Sequence, residues 1–259
     1  MSKPWILLTP STRGISHSLL HHLLRTTPST IPILTTTRSP NLPPSYPKSD
    51  RLHVVNLDVK DESAIQSAAE KARELFPPKT HHLHLALTLP GILLNPPEKS
   101  ISQITEPSLL ETLRVNTLGP VLLMKHSVPF LPKRSASLEP TEGLPPHATW
   151  LSVSARVGSM TDNRLGGWYS YRLSKSALNS AVKTLDLELQ QKSASKCIAV
   201  GYHPGTVKTD LSRGFWSGVP EANLLSPDDA AEKLWNVITS LNPSQRGKIW
   251  DWKGEEVPP

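Results

Sequence analysis

Cysteine is nearly missing: Cys197 is the only one, so no disulfide can close within the chain. It stands in the apolar run Cys197-Ile198-Ala199-Val200, which predicts a buried core thiol in a reducing compartment, not a nucleophile. No stretch of about eighteen apolar residues occurs, so no membrane span is expected. The ten histidines never take metal-ligand spacing with cysteine or acidic partners, and no metal is expected. Acid is missing from the N-terminal part: Asp50 is the first acidic residue, after Lys3, Arg13, Arg25, Arg38 and Lys48. Such a segment can be a transit peptide, a nucleic-acid patch or a pocket for an anionic cofactor. Its use as structure, argued next, weighs against the first. The lack of a nucleic-acid motif or a dense Lys/Arg cluster weighs against the second. The third is preferred, and without a secretion signal the expected location is cytoplasmic.

The 259 residues, 37% hydrophobic and 19% charged, fit one soluble domain with a single sizeable core. Trp5 to Leu8 reads as a buried strand, and Ile15, Leu19, Leu20, Leu23 and Leu24 give the helical spacing that follows it. Strands are expected again at Ile31 to Thr37, Leu52 to Leu57, Leu83 to Leu89, Trp150 to Ser154, Lys196 to His203 and Lys248 to Trp252. Helices are expected from Asp61 to about Phe76, over 107–131, over 168–191 and from Ser226 to about Leu241. The last opens with a capping Ser, a first-turn Pro and two acids. Residues 39–50 and 132–147 are rich in proline and read as loops, the second an exposed one. This alternation predicts a single α/β domain over 1–259: three layers, with a doubly wound parallel sheet of about seven strands in the Rossmann manner. Ligands of such sheets sit at the carboxyl ends of the strands.

Four segments fall at those ends. The first is Thr9-Pro10-Ser11-Thr12-Arg13-Gly14-Ile15-Ser16, where helix N-terminal amides can hold a pyrophosphate; read alone, it is equally an ordinary strand–helix turn. Arg38 follows the second strand, where a guanidinium suits a ribose 2′-phosphate and an acid would suit a free ribose. In Arg114 to Pro120, Pro120 cannot donate to the Asn116 carbonyl, so the helix should kink and leave that carbonyl free. In Tyr169-Ser170-Tyr171-Arg172-Leu173-Ser174-Lys175, Tyr171 and Lys175 share one helix face. An ammonium there would lower the phenol pKa and fit Tyr171 for proton transfer to or from a carbonyl or alcohol oxygen.

With His203-Pro204-Gly205-Thr206-Val207-Lys208-Thr209-Asp210, these segments resemble the short-chain dehydrogenase/reductase family along essentially the whole chain. The resemblance is nearest to its C-factor and sniffer-like carbonyl reductase branch, with WYSYRLSKSALN and HPGTVKTDL segments. It implies NADP(H), with Thr9, Ser11, Arg13, Gly14 and Ile15 on the phosphates, and Arg38 with Arg13 on the 2′-phosphate. It also implies Asp58 on the adenine, Gly91 beside the cofactor, and Pro204, Gly205, Val207 and Thr209 at the nicotinamide. Tyr171 would be the general acid/base, Lys175 would tune it and bind the nicotinamide ribose, and Asn116 would hold the water of a proton relay. The glycine loop departs at Pro10 and Ser16, and Thr88-Leu89-Pro90-Gly91 lacks the two asparagines usual there. Where the family has paired serines, the chain has Ser154-Ala155, so Ser154 is the expected catalytic serine. It would act only if the strand end bends or bulges. Ser152 and Ser159 are lesser candidates. Residues 211–225, with Phe215 and Trp216, are expected to form a substrate lid over an apolar carbonyl or alcohol. The long helices suggest a homodimer by analogy. The losses leave a second reading open: a degenerate Rossmann protein that binds a nucleotide or a protein partner without redox turnover.

Overall fold

The computed structural model describes residues 2–259. Strand β1 (Lys3–Thr9) leads into helix α1 (Gly14–Thr26), then β2 (Ile33–Thr37), β3 (Leu52–Asn56) and α2 (Glu62–Leu75). Next come β4 (His81–Thr88), α3 (Glu106–Leu113), α4 (Gly119–Ser127), β5 (Ala148–Val153) and α5 (Tyr169–Lys192). The chain ends with β6 (Cys197–His203), β7 (Thr206–Val207), β8 (Leu224–Leu225), α6 (Pro227–Ser240), β9 (Ile249–Asp251) and β10 (Glu256–Val257). The main sheet has eight strands in the order β10-β9-β6-β5-β4-β1-β2-β3, one more than expected. The extra member is the short β10, antiparallel to β9, while the other neighbours pair in parallel. Strand order reverses between β1 and β4, which opens a crevice at their carboxyl ends.

Alternation along β1 divides the core. Trp5 and Leu7 join a cluster with Ala68 and Ala72 of α2, Leu123 of α4 and Leu178 and Val182 of α5. Ile6 and Leu8 face the other way, onto Leu19 and Leu23 of α1 and Leu234 and Ile238 of α6. Helices thus cover both faces, giving the three-layer, doubly wound, single-domain fold.

The 107–131 region is not one helix. Pro120 withholds an N–H from Asn116, and residues Arg114–Leu118 widen into a single π-helical turn between α3 and α4. Residues 132–147 hold no regular element and are mostly exposed, although His147 is buried. The 211–225 segment is made of 3₁₀ turns, Arg213–Gly218 and Glu221–Asn223, and is closed at its base by β8 pairing with β7. Among the described residues no helix is long and apolar enough to cross a membrane.

Candidate active site

A cleft of about 1150 Å³ runs across the strand tips. Thr9, Arg13, Gly14, Ile15, Arg38 and Asp58 line one end; Gly91, Ser154, Tyr171, Lys175, Pro204, Gly205, Val207 and Thr209 line the other. Of the sequence-predicted residues, Ser11 and Asn116 lie off this wall.

Ser11 is fully buried: its hydroxyl bonds Tyr46 Oη at 2.7 Å and donates to the Thr36 carbonyl at 3.2 Å, fixing the loop to β2. Thr12 takes its place on the cleft wall. Gly14 has a left-handed φ of 57°, and a Cβ there would come within 3.2 Å of Thr209 Cγ2, so the first turn and the Pro-Gly loop touch at this glycine. Arg13 precedes α1 without a side-chain cap, leaving the first-turn amides of a 13-residue helix free for an anion. Ser16, where the family has a third glycine, donates to the Arg13 carbonyl at 2.9 Å. Among the described residues neither Arg13 nor Arg38 pairs with a carboxylate. Asp58 accepts from the Lys60 N–H at 2.9 Å, the turn that a strand-end aspartate makes on its own.

Asn116 is fully buried in the π turn. Its Oδ1 accepts from the Ile92 N–H at 2.8 Å, and its Nδ2 donates to the Ile92 carbonyl at 2.9 Å and to Ser174 Oγ at 3.0 Å. The side chain therefore straps the loop after Gly91 to α5. Thr88 compensates for one missing asparagine differently: its hydroxyl donates to the Leu151 carbonyl at 2.9 Å and meets Ser152 Oγ at 3.0 Å, tying β4 to β5.

Helix α5 buries a stripe at helical spacing that includes Ser170, Ser174, Lys175, Leu178 and Val182. Lys175 is only 2% exposed, and its Nζ donates to the Val153 carbonyl at the tip of β5, 2.9 Å away. It lies 5.8 Å from the centroid of the Tyr171 ring. A Cβ on Gly91 would stand 3.7 Å from Lys175 Nζ and 3.8 Å from Asn116 Oδ1, so the absent side chain there leaves room beside the ammonium. Burial pushes the Lys175 ammonium down to about 8 and the Tyr171 phenol up to about 12. The expected lowering of the phenol is therefore corrected: Lys175 sits over the ring and bonds a carbonyl, and desolvation outweighs its charge.

Ser154 lines the cleft, but its hydroxyl donates to Asn179 Oδ1 on α5 at 2.5 Å. Ala155, its neighbour on the cleft wall, has no hydroxyl to offer. Ser152 bonds Thr88 and the Trp150 indole N–H, and Ser159 donates to the Pro259 carbonyl at 3.1 Å, so both are committed to structure. Gly158 was missed by sequence reasoning. A Cβ there would lie 2.8 Å from the Lys175 backbone, so only glycine lets the turn after β5 seat against α5. Trp168, also missed, lies at the cleft mouth with Phe215 and Trp216. Its position three residues before Tyr171 was the available signal.

No protein-family model matches the chain. It is 33% identical over 159 residues to C-signal of Myxococcus xanthus, covering 61% of this chain and 83% of that protein. An uncharacterised oxidoreductase of Saccharomyces cerevisiae is 25% identical over 257 residues, 94% of this chain and 93% of the relative. Among solved structures, the carbonyl reductase Sniffer of D. melanogaster superposes with a TM-score of 0.81 at 24% identity, over 100% of this chain and 99% of that one. The NADPH-bound carbonyl reductase from chicken fatty liver gives 0.77 at 25% identity over the full length of both. A tyrosine and a lysine one turn apart at the tip of β5, on this sheet order and with these relatives, have one home: the chain belongs to the short-chain dehydrogenase/reductase family of oxidoreductases.

Proposed function

We propose that the chain is an NADPH-dependent reductase of carbonyl compounds, with Tyr171 as general acid. The observation that carries this is Tyr171 beside the buried Lys175 in a cleft whose far end holds Arg13 and Arg38 without acidic partners. The residues present suit a phosphorylated dinucleotide: free first-turn amides, a positive-φ glycine and two unpaired guanidiniums. The chicken carbonyl reductase is NADPH-bound, which supports the same choice. When bound, NADPH supplies a hydride to the carbonyl carbon.

The chain's own residues do the rest. Amides of α1, with Arg13 and Arg38, hold the phosphates; Thr9, Ile15 and Asp58 shape the adenosine end, while Gly91, Pro204, Gly205, Val207 and Thr209 shape the nicotinamide end. A phenol held near 12 stays neutral at pH 7, so Tyr171 donates its proton to the substrate oxygen. Lys175, still mostly charged at pH 7, offsets the negative charge that then develops on Tyr171. Asn116 holds its π turn so that its carbonyl, which Pro120 cannot engage, can keep a water for reprotonation. Ser154 steadies the substrate oxygen by turning its hydroxyl from Asn179 toward the cleft. The 211–225 segment covers the substrate.

The test is to mix the purified protein with NADPH or NADH and a panel of aldehydes, ketones and quinones. NADPH oxidation with at least one carbonyl, and binding of NADPH about tenfold or more tighter than NADH, is expected. Tight NADPH binding with no oxidation across the panel would favour the second reading, a nucleotide-binding protein without turnover. Ala155 and the Ser154–Asn179 bond are the observations on that side.

A further inference from the structure

We infer that Trp168 is the specificity-determining residue of this cleft and that Glu98 is the positioning residue that sets it. The inference rests on the reductase reading and names its substrate class: a carbonyl carried on a flat aromatic ring.

The turn before α5 is unusual in backbone and in side chain. Gly166 and Gly167 both have φ of 64°, and Trp168 follows at φ 54°, ψ 40°, a left-handed conformation that a bulky residue rarely holds unaided. What holds it comes from one residue. The Trp168 N–H donates to the Glu98 carbonyl at 2.5 Å, and a Cβ on Gly167 would lie 3.2 Å from that same carbonyl. The Glu98 side chain, only 6% exposed, takes a short hydrogen bond from Ser170 Oγ in the first turn of α5. Its Oε2 is buried without a partner. Trp168 itself provides no side-chain cap, so the carboxylate serves the positive end of the 24-residue helix that carries Tyr171. Backbone and side chain of one glutamate thus fix the residue before the helix and the helix start together.

The consequence is where the indole stands. Its ring centroid is 4.8 Å from Phe215 of the 211–225 segment and 6.2 Å from Tyr171, at 45° and 64°. Trp168 is half-buried and lines the cleft with both. The segment after β4 that carries Glu98 also meets the cover: a Cβ on Gly214 would lie 3.4 Å from Asn95 Oδ1. An indole fixed between the proton donor and the cover is an aromatic wall for whatever carries the reacting carbonyl. Flat rings gain from such walls by offset or edge contact in a way that puckered rings of equal size do not.

Acetophenone and cyclohexyl methyl ketone, which share a carbon skeleton and differ in flatness, are the probes. Trp168→Leu is expected to cut the acetophenone-to-cyclohexyl ratio of kcat/KM by about threefold to tenfold, through the KM for acetophenone, with NADPH affinity unchanged. Trp168→Phe is expected to restore most of the ratio. Glu98→Ala is expected to act like Trp168→Leu, and Glu98→Gln, which keeps an oxygen for Ser170, to retain the ratio. Should Glu98→Ala fail to fold, Ser170→Ala cuts the same link from the helix side. An unchanged ratio in Trp168→Leu overturns the inference while leaving the reductase reading intact. If the wild-type protein reduces neither ketone, equilibrium dialysis of both against wild type and Trp168→Leu decides: a selective loss of acetophenone binding upholds the inference, and equal binding overturns it.

Discussion

Desolvation moves the protons of Tyr171 and Lys175 in opposite directions. The Lys175 ammonium, pushed down to about 8, is present below that pH and lost above it. In the carbonyl-reducing direction kcat/KM is therefore expected to be level on the acid side of about pH 8 and to fall above it. A profile still level well above pH 9 would mean that the lysine charge is not used. Ser154 is expected to matter far less than the tyrosine: its hydroxyl reaches the substrate oxygen only by giving up Asn179, so Ser154→Ala should lower kcat by less than about tenfold. A loss of a hundredfold or more would show that the Asn179 bond costs the serine nothing. The Tyr–Lys spacing, the two arginines and the Pro-Gly loop were legible in the sequence because each needs only a residue type at a fixed offset. The partners of Ser11 and Asn116 and the raised phenol pKa were not legible because they depend on where a side chain turns and what covers it. Nothing in the spacing says that Ser11 meets Tyr46, or that Asn116 spends its amide on Ile92.

The elements explain how the site is held. Pro120 forces a choice at 114–120, and the chain makes a π turn where the sequence argued for a kinked helix; the missing N–H was legible, the form of the response was not. The seat of α5 depends on Gly158, whose added Cβ would meet the Lys175 backbone at 2.8 Å and Asn179 Nδ2 at 2.9 Å. Gly158→Ala is expected to cost about 1–3 kcal/mol in urea denaturation and to lower turnover by displacing Lys175. Unchanged stability and turnover would mean that the turn shifts freely. The α6 start was legible in full, because a capping box is a local device: Ser226 accepts from the Asp229 N–H at 3.1 Å and donates to its carboxylate at 2.6 Å. Ser226→Ala is expected to lower stability by about 1 kcal/mol with no effect on turnover, as measured by the same denaturation.

At the scale of the molecule, the doubly wound sheet was legible because strand–helix alternation and apolar runs fix it. Only the short antiparallel β10 carried no pattern long enough to read. The sequence did not show that histidines would form a buried chain at the opposite end of the sheet from the cleft. His82 Nε2 and His84 Nδ1 lie 3.1 Å apart, and His84 Nε2 lies 2.8 Å from the Pro145 carbonyl. Burial pushes both down to about 4. The folded pKa lies below the unfolded value near 6.5, so this stabilisation is complete above pH 6.5 and drains away as pH falls toward 4. The urea midpoint is expected to drop over that window, by an amount equivalent to about 3 kcal/mol for each histidine. A midpoint constant from pH 7 to pH 4.5 would show that the histidines stay solvated.

All of these levels converge on one phenol at the tip of the parallel sheet. Tyr171→Phe removes its oxygen and leaves the buried Lys175, the π turn and the arginine end of the cleft in place. Measured side by side with wild type, the variant is expected to bind NADPH within about twofold and to lose at least a hundredfold in carbonyl-dependent NADPH oxidation. Wild-type turnover in the variant would contradict the account at its centre.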